Sequence, residues 1–176
     1  LAALGEAALD HGVVACSSGN HAQGVAEAAR ILGIKATIVM PYDAPETKKA
    51  RTLRSGAEII GYHRDTEDRD LVAEEVRIKT GAQLVHPYEN FDVIAGQGTV
   101  GLEAAEEFAS NNIVPDLALV CAGGGGLMSG ITLAPQEHFS DVRIYAAEPE
   151  GFDDQRRSIE AGERIAIEPG HHSICD

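Results

Sequence analysis

The sequence predicts a parallel α/β fold arranged as two domains. Short apolar runs rich in β-branched residues alternate with amphipathic helical stretches, and glycine or proline marks the ends of most segments. Hydrophobic residues make up 44% of the 176-residue chain, which is enough to bury a core. Strands that alternate with helices form parallel sheets covered by helices on both faces, so we expect αβα layers.

The first predicted unit covers residues 12–88 and contains four strands. Its strands are the runs "VVACS", "KATIVM", "AEIIGY" and "AQLVHP", which begin at residues 13, 35, 57 and 82. Helices are predicted from Asn20 to Leu32, over 43–56 with a proline in the first turn, and from the charged stretch 64–70 to Thr80. A glycine follows or ends each helix, as is common at helix C-termini. We expect this unit to form a small, compact α/β domain.

Residues 89–176, together with residues 1–11, are predicted to belong to a larger second domain. After "YENFDVIAGQG" a helix is predicted to run to about Asn111. The stretch "DLALVCA" is predicted to be a buried strand, and "VRIYAAEP" another strand. Between them, "GGGGLMSG" is predicted to be a turn before a helix. These strands are too few to close a core. We therefore expect this domain to continue beyond both ends of the chain, whose first residues start as if in mid-helix.

Composition excludes several function classes. The formal charge is -14, with 14 basic against 28 acidic residues, so neither a nucleic acid nor an anionic membrane is an expected partner. No apolar stretch approaches the roughly 20 residues of a membrane span, and the N-terminal residues do not resemble a signal peptide. The three cysteines, at 16, 121 and 175, are too few and too widely spaced for a disulfide framework or a zinc site. A reducing, cytoplasmic location is expected.

Two glycine-containing turns are candidate anion sites. "SSGNHAQG" (residues 17–24) and "GGGGLMSG" (residues 123–130) each lie after a predicted strand and before a helix. Backbone N–H groups at a helix N-terminus have no helical partners and attract anions such as carboxylate or phosphate. The second motif lacks the features of a Walker A loop and of a dinucleotide-binding fingerprint. The alternatives are that "GGGG" is only a tight turn and that Ser18 or Asn20 is only a helix N-cap.

These motifs, with "HPYENFDVIAGQGTVGLE" between them, resemble the fold-type II pyridoxal-phosphate enzymes, in particular threonine and serine dehydratases and serine racemases. The resemblance covers nearly the whole chain and implies two parallel αβα domains with the cofactor in a cleft. It implies that the cofactor phosphate is bound by the backbone of Gly123, Gly124, Gly125, Gly126 and Leu127. It also implies that the substrate carboxylate is bound by Ser17, Ser18, Gly19, Asn20 and His21.

The resemblance assigns two of these residues additional roles. Asn20 would hydrogen-bond the phenolic oxygen of the pyridine ring, and Ser18 matches the family serine on the face opposite the Schiff-base lysine. That lysine lies in a Ser-Phe-Lys-x-Arg-Gly stretch upstream of the serine motif, and the sequence contains no such stretch. The four lysines, at 35, 48, 49 and 79, are in solvated contexts away from the glycine motifs. We expect this chain to be the central part of an enzyme and inactive by itself.

A third motif, "AAEPEGFDD" (residues 146–154), resembles a divalent-cation site of serine racemases and related dehydratases. The matching ligands are the carboxylates of Glu148 and Asp154 and the carbonyl of Phe152. Oxygen ligands of this kind suit Mg²⁺ or Ca²⁺. The alternative is an exposed acidic turn after a strand.

The resemblance implies a pyridoxal-phosphate-dependent lyase that removes water and ammonia from L-threonine or L-serine to give a 2-oxo acid. Serine racemase and hydroxyaspartate ammonia-lyase are the alternatives within the family. A non-catalytic α/β module that binds a nucleotide or pyridoxal phosphate is the alternative from another class. A small amino-acid substrate and a homodimer are the expected partners, because the family is commonly dimeric.

Overall fold

The computed structural model describes residues 1–134 and 141–167. The chain divides into two units, Leu1–Pro87 and Tyr88–Asp176, and each is described by itself. Residues 1–11 form a short 3-10 turn, Ala2–Leu4, and helix α1, Glu6–His11, and both are part of the first unit in this structure. Their predicted membership of a second, larger domain concerns the intact protein and stays a prediction.

The first unit is a four-stranded parallel sheet with helices between its strands. In chain order its elements are β1 (Val13–Cys16), α2 (Asn20–Leu32), β2 (Ala36–Pro41), α3 (Glu46–Arg54), β3 (Glu58–Tyr62), α4 (Arg69–Thr80) and β4 (Gln83–Leu84). The strand order is β3-β2-β1-β4, and every pairing is parallel. Val13, Val14, Ile38, Val39 and Met40 are at most 1% exposed, so the central strands β1 and β2 form the core. The predicted parallel α/β fold is confirmed here.

Local signals set most of the helix ends in this unit. Helix α2 has the predicted bounds, and Gly33 ends it in the left-handed conformation at φ 69°. The side chain of Asp68 accepts hydrogen bonds from the N–H groups of Asp70 and Leu71 and so begins α4. The fourth strand is shorter than predicted, because only Gln83 and Leu84 pair with β1.

The second unit contains α5 (Phe91–Ser110), β5 (Leu117–Cys121), α6 (Gly126–Leu133), β6 (Arg143–Ala147) and α7 (Asp154–Ala161). Helix α5 begins earlier than predicted, because the side chain of Asn90 accepts hydrogen bonds from the N–H groups of Asp92 and Val93. The predicted turn "GGGGLMSG" is also shorter, since its second half forms the start of α6. Helices α5 and α6 pack closely through Gly98, Gly101 and Gly130.

The prediction that "DLALVCA" is a buried strand is wrong for this structure. Strands β5 and β6 pair in parallel, and in β5 only Val120 is buried. Leu119 is 70% exposed and its register partner Tyr145 is 48% exposed, so the face that carries these side chains is open in the described part of the chain. No helix within the described residues is long and apolar enough to cross a membrane.

Candidate functional site

The loop of residues 17–21, called here the substrate loop, follows the carboxyl end of β1. The chain proceeds from β1 to β2 and β3 on one side and then places β4 on the other side of β1. The strand order therefore reverses beside β1. In open parallel sheets, ligands bind outside the carboxyl ends of the strands at such a point. The fold supports a binding role for this loop independently of the family resemblance.

Three hydrogen bonds order the substrate loop within the first unit. The N–H of Ser17 donates to the carbonyl of Val39 in β2 at 3.1 Å. The N–H of Gly19 donates to the Ser17 hydroxyl at 3.1 Å. The Nε2 atom of His21 lies 3.1 Å from the carbonyl oxygen of Val85, the residue that follows β4. The loop is thus attached to both strands that flank β1.

The bond from His21 fixes its tautomer. A carbonyl only accepts hydrogen bonds, so Nε2 must carry a proton and donate it to Val85. The pKa of His21 is lowered, mainly by burial and also by the nearby His86. The hydrogen bond to Val85 opposes this shift. Because the Nε2 proton is hydrogen-bonded to Val85, a ligand carboxylate would be bound by the backbone N–H of His21. The side chain instead attaches helix α2 to the end of β4.

The other substrate-loop residues are at least partly accessible to solvent. Ser17, Ser18 and Gly19 are half-buried and Asn20, the first residue of α2, is exposed. The N-cap position of α2 is Gly19, and no side chain caps this helix. The proposed alternative, that Ser18 or Asn20 is only an N-cap, is therefore wrong. The first N–H groups of α2 have no side-chain partner, as a site for a carboxylate requires.

The second predicted anion site is the glycine loop, residues 123–126, which follows β5 and includes the first residue of α6. Gly125 has φ +88°, in the left-handed region that favours glycine. The first N–H groups of any helix lack intrahelical partners, and at the start of α6, Gly126, no side chain caps them either. Gly123, Gly124, Gly125, Gly126 and Leu127, the predicted phosphate ligands, all lie in this loop or the first turn of α6.

The residues of the glycine loop fit a phosphate. At Gly123 no heavy atom lies within 4 Å of where a Cβ would be, so packing inside the chain does not require glycine there. Open space beside main-chain donors at a helix N-terminus suits the approach of a tetrahedral anion. A cofactor phosphate is compatible with this loop.

Two residues that sequence reasoning did not predict contact the glycine loop. The side-chain Nε2 of Gln155 in α7 donates to the carbonyl of Gly123 at 2.8 Å. The Tyr88 ring lies 2.0 Å from the position that a Cβ on Gly124 would occupy, so only glycine fits beside it. Both residues line an open cavity of about 500 Å³ next to the loop. Tyr88 belongs to the stretch "HPYENFDVIAGQGTVGLE", which does not by itself indicate this contact, and Gln155 follows directly after "AAEPEGFDD".

The predicted cation ligands surround the β6–α7 turn. The two carboxylate oxygens of Glu148 accept hydrogen bonds from the N–H groups of Gln155 at 2.9 Å and Arg156 at 3.0 Å. Glu148 thus caps the N-terminus of α7, a role that the sequence analysis missed. Asp154 is the first residue of that helix, and Phe152 lies in the intervening turn. Among the described residues no group of three or more His, Cys, Asp or Glu side chains could hold a metal.

The remaining candidates have structural roles or lie outside the described residues. Burial raises the pKa of the Cys16 thiol to about 11, so Cys16 is a neutral core residue. Lys35 and Lys79 are exposed, as predicted, whereas Lys49 is half-buried and pairs with Glu46 at 2.8 Å. Cys175 lies outside the described residues.

Comparisons with known proteins agree with the motifs. The family model described as "Pyridoxal-phosphate dependent enzyme" matches residues 2–176. A serine racemase of Schizosaccharomyces pombe is 42% identical over 168 residues, covering 96% of this chain and 51% of that protein. An L-threonine ammonia-lyase of Thermotoga maritima is 40% identical over 176 residues, covering 100% of this chain and 43% of that protein. The structure of maize serine racemase is similar with a TM-score of 0.87 and 41% identity, covering 98% of this chain and 51% of that one.

The family model and the fold lead to the same assignment. The chain spans about half the length of the curated relatives it matches. Over that half it is 40–42% identical to them, and its parallel α/β fold is similar to that of a solved relative. The chain belongs to the family of pyridoxal-phosphate-dependent enzymes of fold type II.

Proposed function

We propose that the protein carrying this chain is a pyridoxal-phosphate-dependent lyase that removes water and ammonia from L-threonine or L-serine to give a 2-oxo acid. The observation that carries the proposal is the glycine loop, where open main-chain donors at the start of α6 fit the phosphate that the family's cofactor bears. The relative named L-threonine ammonia-lyase supports the reaction type.

In this proposal the residues of this chain bind and orient the cofactor and the substrate. The glycine loop and Leu127 hold the cofactor phosphate through backbone N–H groups. The substrate loop, Ser17 to His21, would hold the substrate carboxylate through its hydroxyl and amide side chains and through backbone N–H groups such as that of His21, whose ring is engaged with Val85. Asn20 would donate to the phenolic oxygen of the ring. When bound, pyridoxal phosphate supplies the electron sink that makes loss of the α-proton and the β-hydroxyl possible.

Preorganisation of the substrate loop favours this chemistry. The three hydrogen bonds from Ser17, Gly19 and His21 order the loop before any ligand binds. Fixing a residue's backbone costs about 1–2 kcal/mol of conformational entropy, so a loop already ordered by folding binds its ligand with a smaller loss. The lysine that takes the α-proton is proposed to lie in the upstream segment typical of the family, outside this sequence.

Racemisation of serine is the second candidate function, favoured by the relative named serine racemase. It requires a group that returns a proton to the face opposite the lysine, and Ser18, half-buried in the substrate loop, is the proposed donor. Hydroxyaspartate ammonia-lyase is a further alternative within the family, because it uses the same elimination on a substrate with one more carboxylate.

The proposal also covers a bound cation, the oligomeric state and the cellular location. Glu148, the carbonyl of Phe152 and Asp154 are proposed to bind Mg²⁺ or Ca²⁺, since hard cations prefer oxygen ligands. Their places around the β6–α7 turn support this assignment. A homodimer in the cytoplasm is proposed from the family resemblance and the absence of a disulfide framework in the sequence.

The test uses the full-length protein loaded with pyridoxal phosphate. Release of 2-oxo acid is measured from L-threonine, L-serine and L-threo-3-hydroxyaspartate, and D-serine formation is measured from L-serine. For the Ser18→Ala variant we expect D-serine formation to fall by about 100-fold or more while 2-oxo acid release persists, since general acid catalysis contributes on this scale. The control is Ser110→Ala, which removes an exposed hydroxyl bonded to the Glu106 carbonyl.

Each outcome decides a different part of the proposal. Absence of a cofactor absorbance band, even at high pyridoxal phosphate, would favour the non-catalytic module over an enzyme. Cofactor binding without 2-oxo acid from any of the three substrates would exclude the lyase. Unchanged racemisation in Ser18→Ala would show that the role assigned to Ser18 is wrong.

A further inference from the structure

We infer that Gln155 is a positioning residue for the glycine loop: its side-chain amide orients the main-chain donors that receive the cofactor phosphate. The inference rests on the proposed function, because it assigns the glycine loop to phosphate binding. It adds a residue of α7 that lies outside the motifs of the family resemblance.

The contact itself is direct. Nε2 of Gln155 lies 2.8 Å from the carbonyl oxygen of Gly123, a normal distance for an N–H···O hydrogen bond. The Gly123 carbonyl accepts only, so the amide must present its nitrogen, and the orientation of the amide is fixed. The amide oxygen of Gln155 is then near Gly125, 3.8 Å from the position of a Cβ there.

This bond determines where an N–H group of the loop points. The carbonyl of Gly123 and the N–H of Gly124 belong to the same planar trans peptide group and point in opposite directions. A side chain that holds the carbonyl on one side therefore directs the Gly124 N–H to the other side. In a run of four glycines no side chain restricts the peptide planes, so an external contact is needed to select one orientation.

Gln155 is itself held in place. The Oε1 of Glu148 accepts the backbone N–H of Gln155 at 2.9 Å, and its Oε2 accepts that of Arg156 at 3.0 Å. Glu148 follows β6, and β6 pairs along its length with β5, the strand that leads into the glycine loop. The N–H of Ala122 also donates to the carbonyl of Ala147 at 3.0 Å. The amide of Gln155 is thus anchored to the same strand pair as the loop it contacts.

A second neighbour of the loop, Tyr88, lies against Gly124. The Tyr88 ring occupies the space beside Gly124, where a Cβ would lie 2.0 Å from it. Tyr88 therefore limits how far the Gly124 peptide can turn, and Gln155 selects its orientation. The two constraints act on the two ends of the same peptide group.

The variants Gln155→Glu and Gln155→Met test the inference in the full-length protein. Glutamate has nearly the shape of glutamine but no donor, and it is favoured in the first turn of a helix by the helix dipole. It should keep α7 intact while it repels the Gly123 carbonyl and a phosphate. Methionine has a similar length and neither donor nor charge. The control is Glu160→Gln, which changes a charge on the exposed side of the same helix, where the Glu160 carboxylate accepts hydrogen bonds from Arg156.

The measurements are the Kd of the apo protein for pyridoxal phosphate and for inorganic phosphate, the amide exchange of the glycine loop, and the melting temperature. A neutral hydrogen bond of this type is worth about a two- to tenfold change in a binding constant. We expect Kd for both probes to rise by that factor in Gln155→Met and by about tenfold or more in Gln155→Glu. Loop exchange should become faster, with the melting temperature and the exchange of α7 unchanged.

The outcomes separate this inference from the proposed function. If the wild type binds both probes and Gln155→Glu binds them equally well, the inference is overturned while the proposed function stands. If both Gln155 variants lose affinity only together with α7 protection, Gln155 is a structural residue and the inference is also overturned. If the wild type binds neither probe, the proposed function fails and the inference with it.

Discussion

Replacing Gly130 by alanine is expected to force α5 and α6 apart. Gly130 lies in α6, and a Cβ there would be 2.4 Å from the carbonyl oxygen of Ile94 and 2.6 Å from the nitrogen of Gly98, both in the backbone of α5. Carbon–oxygen contacts are normally no closer than about 3.3 Å, so the helices would have to separate locally by about 1 Å. Backbone atoms cannot rotate away as a side chain can.

Two opposing effects set the magnitude of this change. Overpacking of a tight contact typically costs about 1–3 kcal/mol, whereas alanine is favoured over glycine inside a helix by about 1 kcal/mol. The contact involves backbone on both sides, which favours the upper part of the first range. We expect the free energy of unfolding to fall by about 1–2 kcal/mol, and the melting temperature of the second unit by about 4–16 °C.

Gly96→Ala provides the matched control for Gly130→Ala. Gly96 lies in α5, and no heavy atom is within 4 Å of its Cβ position, so only the helix-propensity gain applies. Urea unfolding and thermal melting of both variants should show Gly96→Ala stabilised by about 1 kcal/mol and Gly130→Ala destabilised. Equal stability of the two variants would show that α5 and α6 do not approach as closely as described.

Two further predictions concern protonation and metal binding. Because burial lowers the pKa of His21 from its ordinary value of 6.5, the unfolded chain binds more protons than the folded chain between the two values. The His21 contribution to stability should therefore decline as the pH falls below the ordinary value of 6.5 towards the lowered pKa of the folded state, and this part of the pH dependence of urea unfolding should vanish in His21→Gln. The assignment of His21 is wrong if the variant keeps the wild-type dependence. If Glu148, Phe152 and Asp154 hold a cation, chelation should lower the melting temperature of the wild type but not of Asp154→Asn, since ligands that bind only the folded state stabilise it. An equal response of the two proteins to the chelator would remove Asp154 from the site.

Much of the fold follows from local sequence signals. The bounds of α2 and the glycine that ends it agree with the prediction, because a helix end depends on a few neighbouring residues and their φ values. The four parallel strands of the first unit were also predicted, since buried strands carry continuous apolar runs. The start of α5 was predicted too late, although its cap, Asn90, is a local signal of the usual type.

The candidate site was predictable only in part. The two anion-binding motifs could be identified because each combines a strand end, small residues and a helix start within a few positions. Their detailed assignments remain predictions. Glu148 shows the limit of such a motif: the sequence suggested a cation ligand, and the structure adds that both of its oxygens cap α7.

By itself the sequence determined the family, the alternation of strands and helices, and the positions of the two glycine-containing loops, because these features depend on residues close together in the chain. Only the tertiary structure showed that His21 donates to Val85, 64 residues away, and Gln155 to Gly123, 32 residues away. It also showed that Gly130, predicted as part of a turn, is the contact point of two helices. Such contacts depend on which elements pack against each other, and no local pattern of residues specifies that.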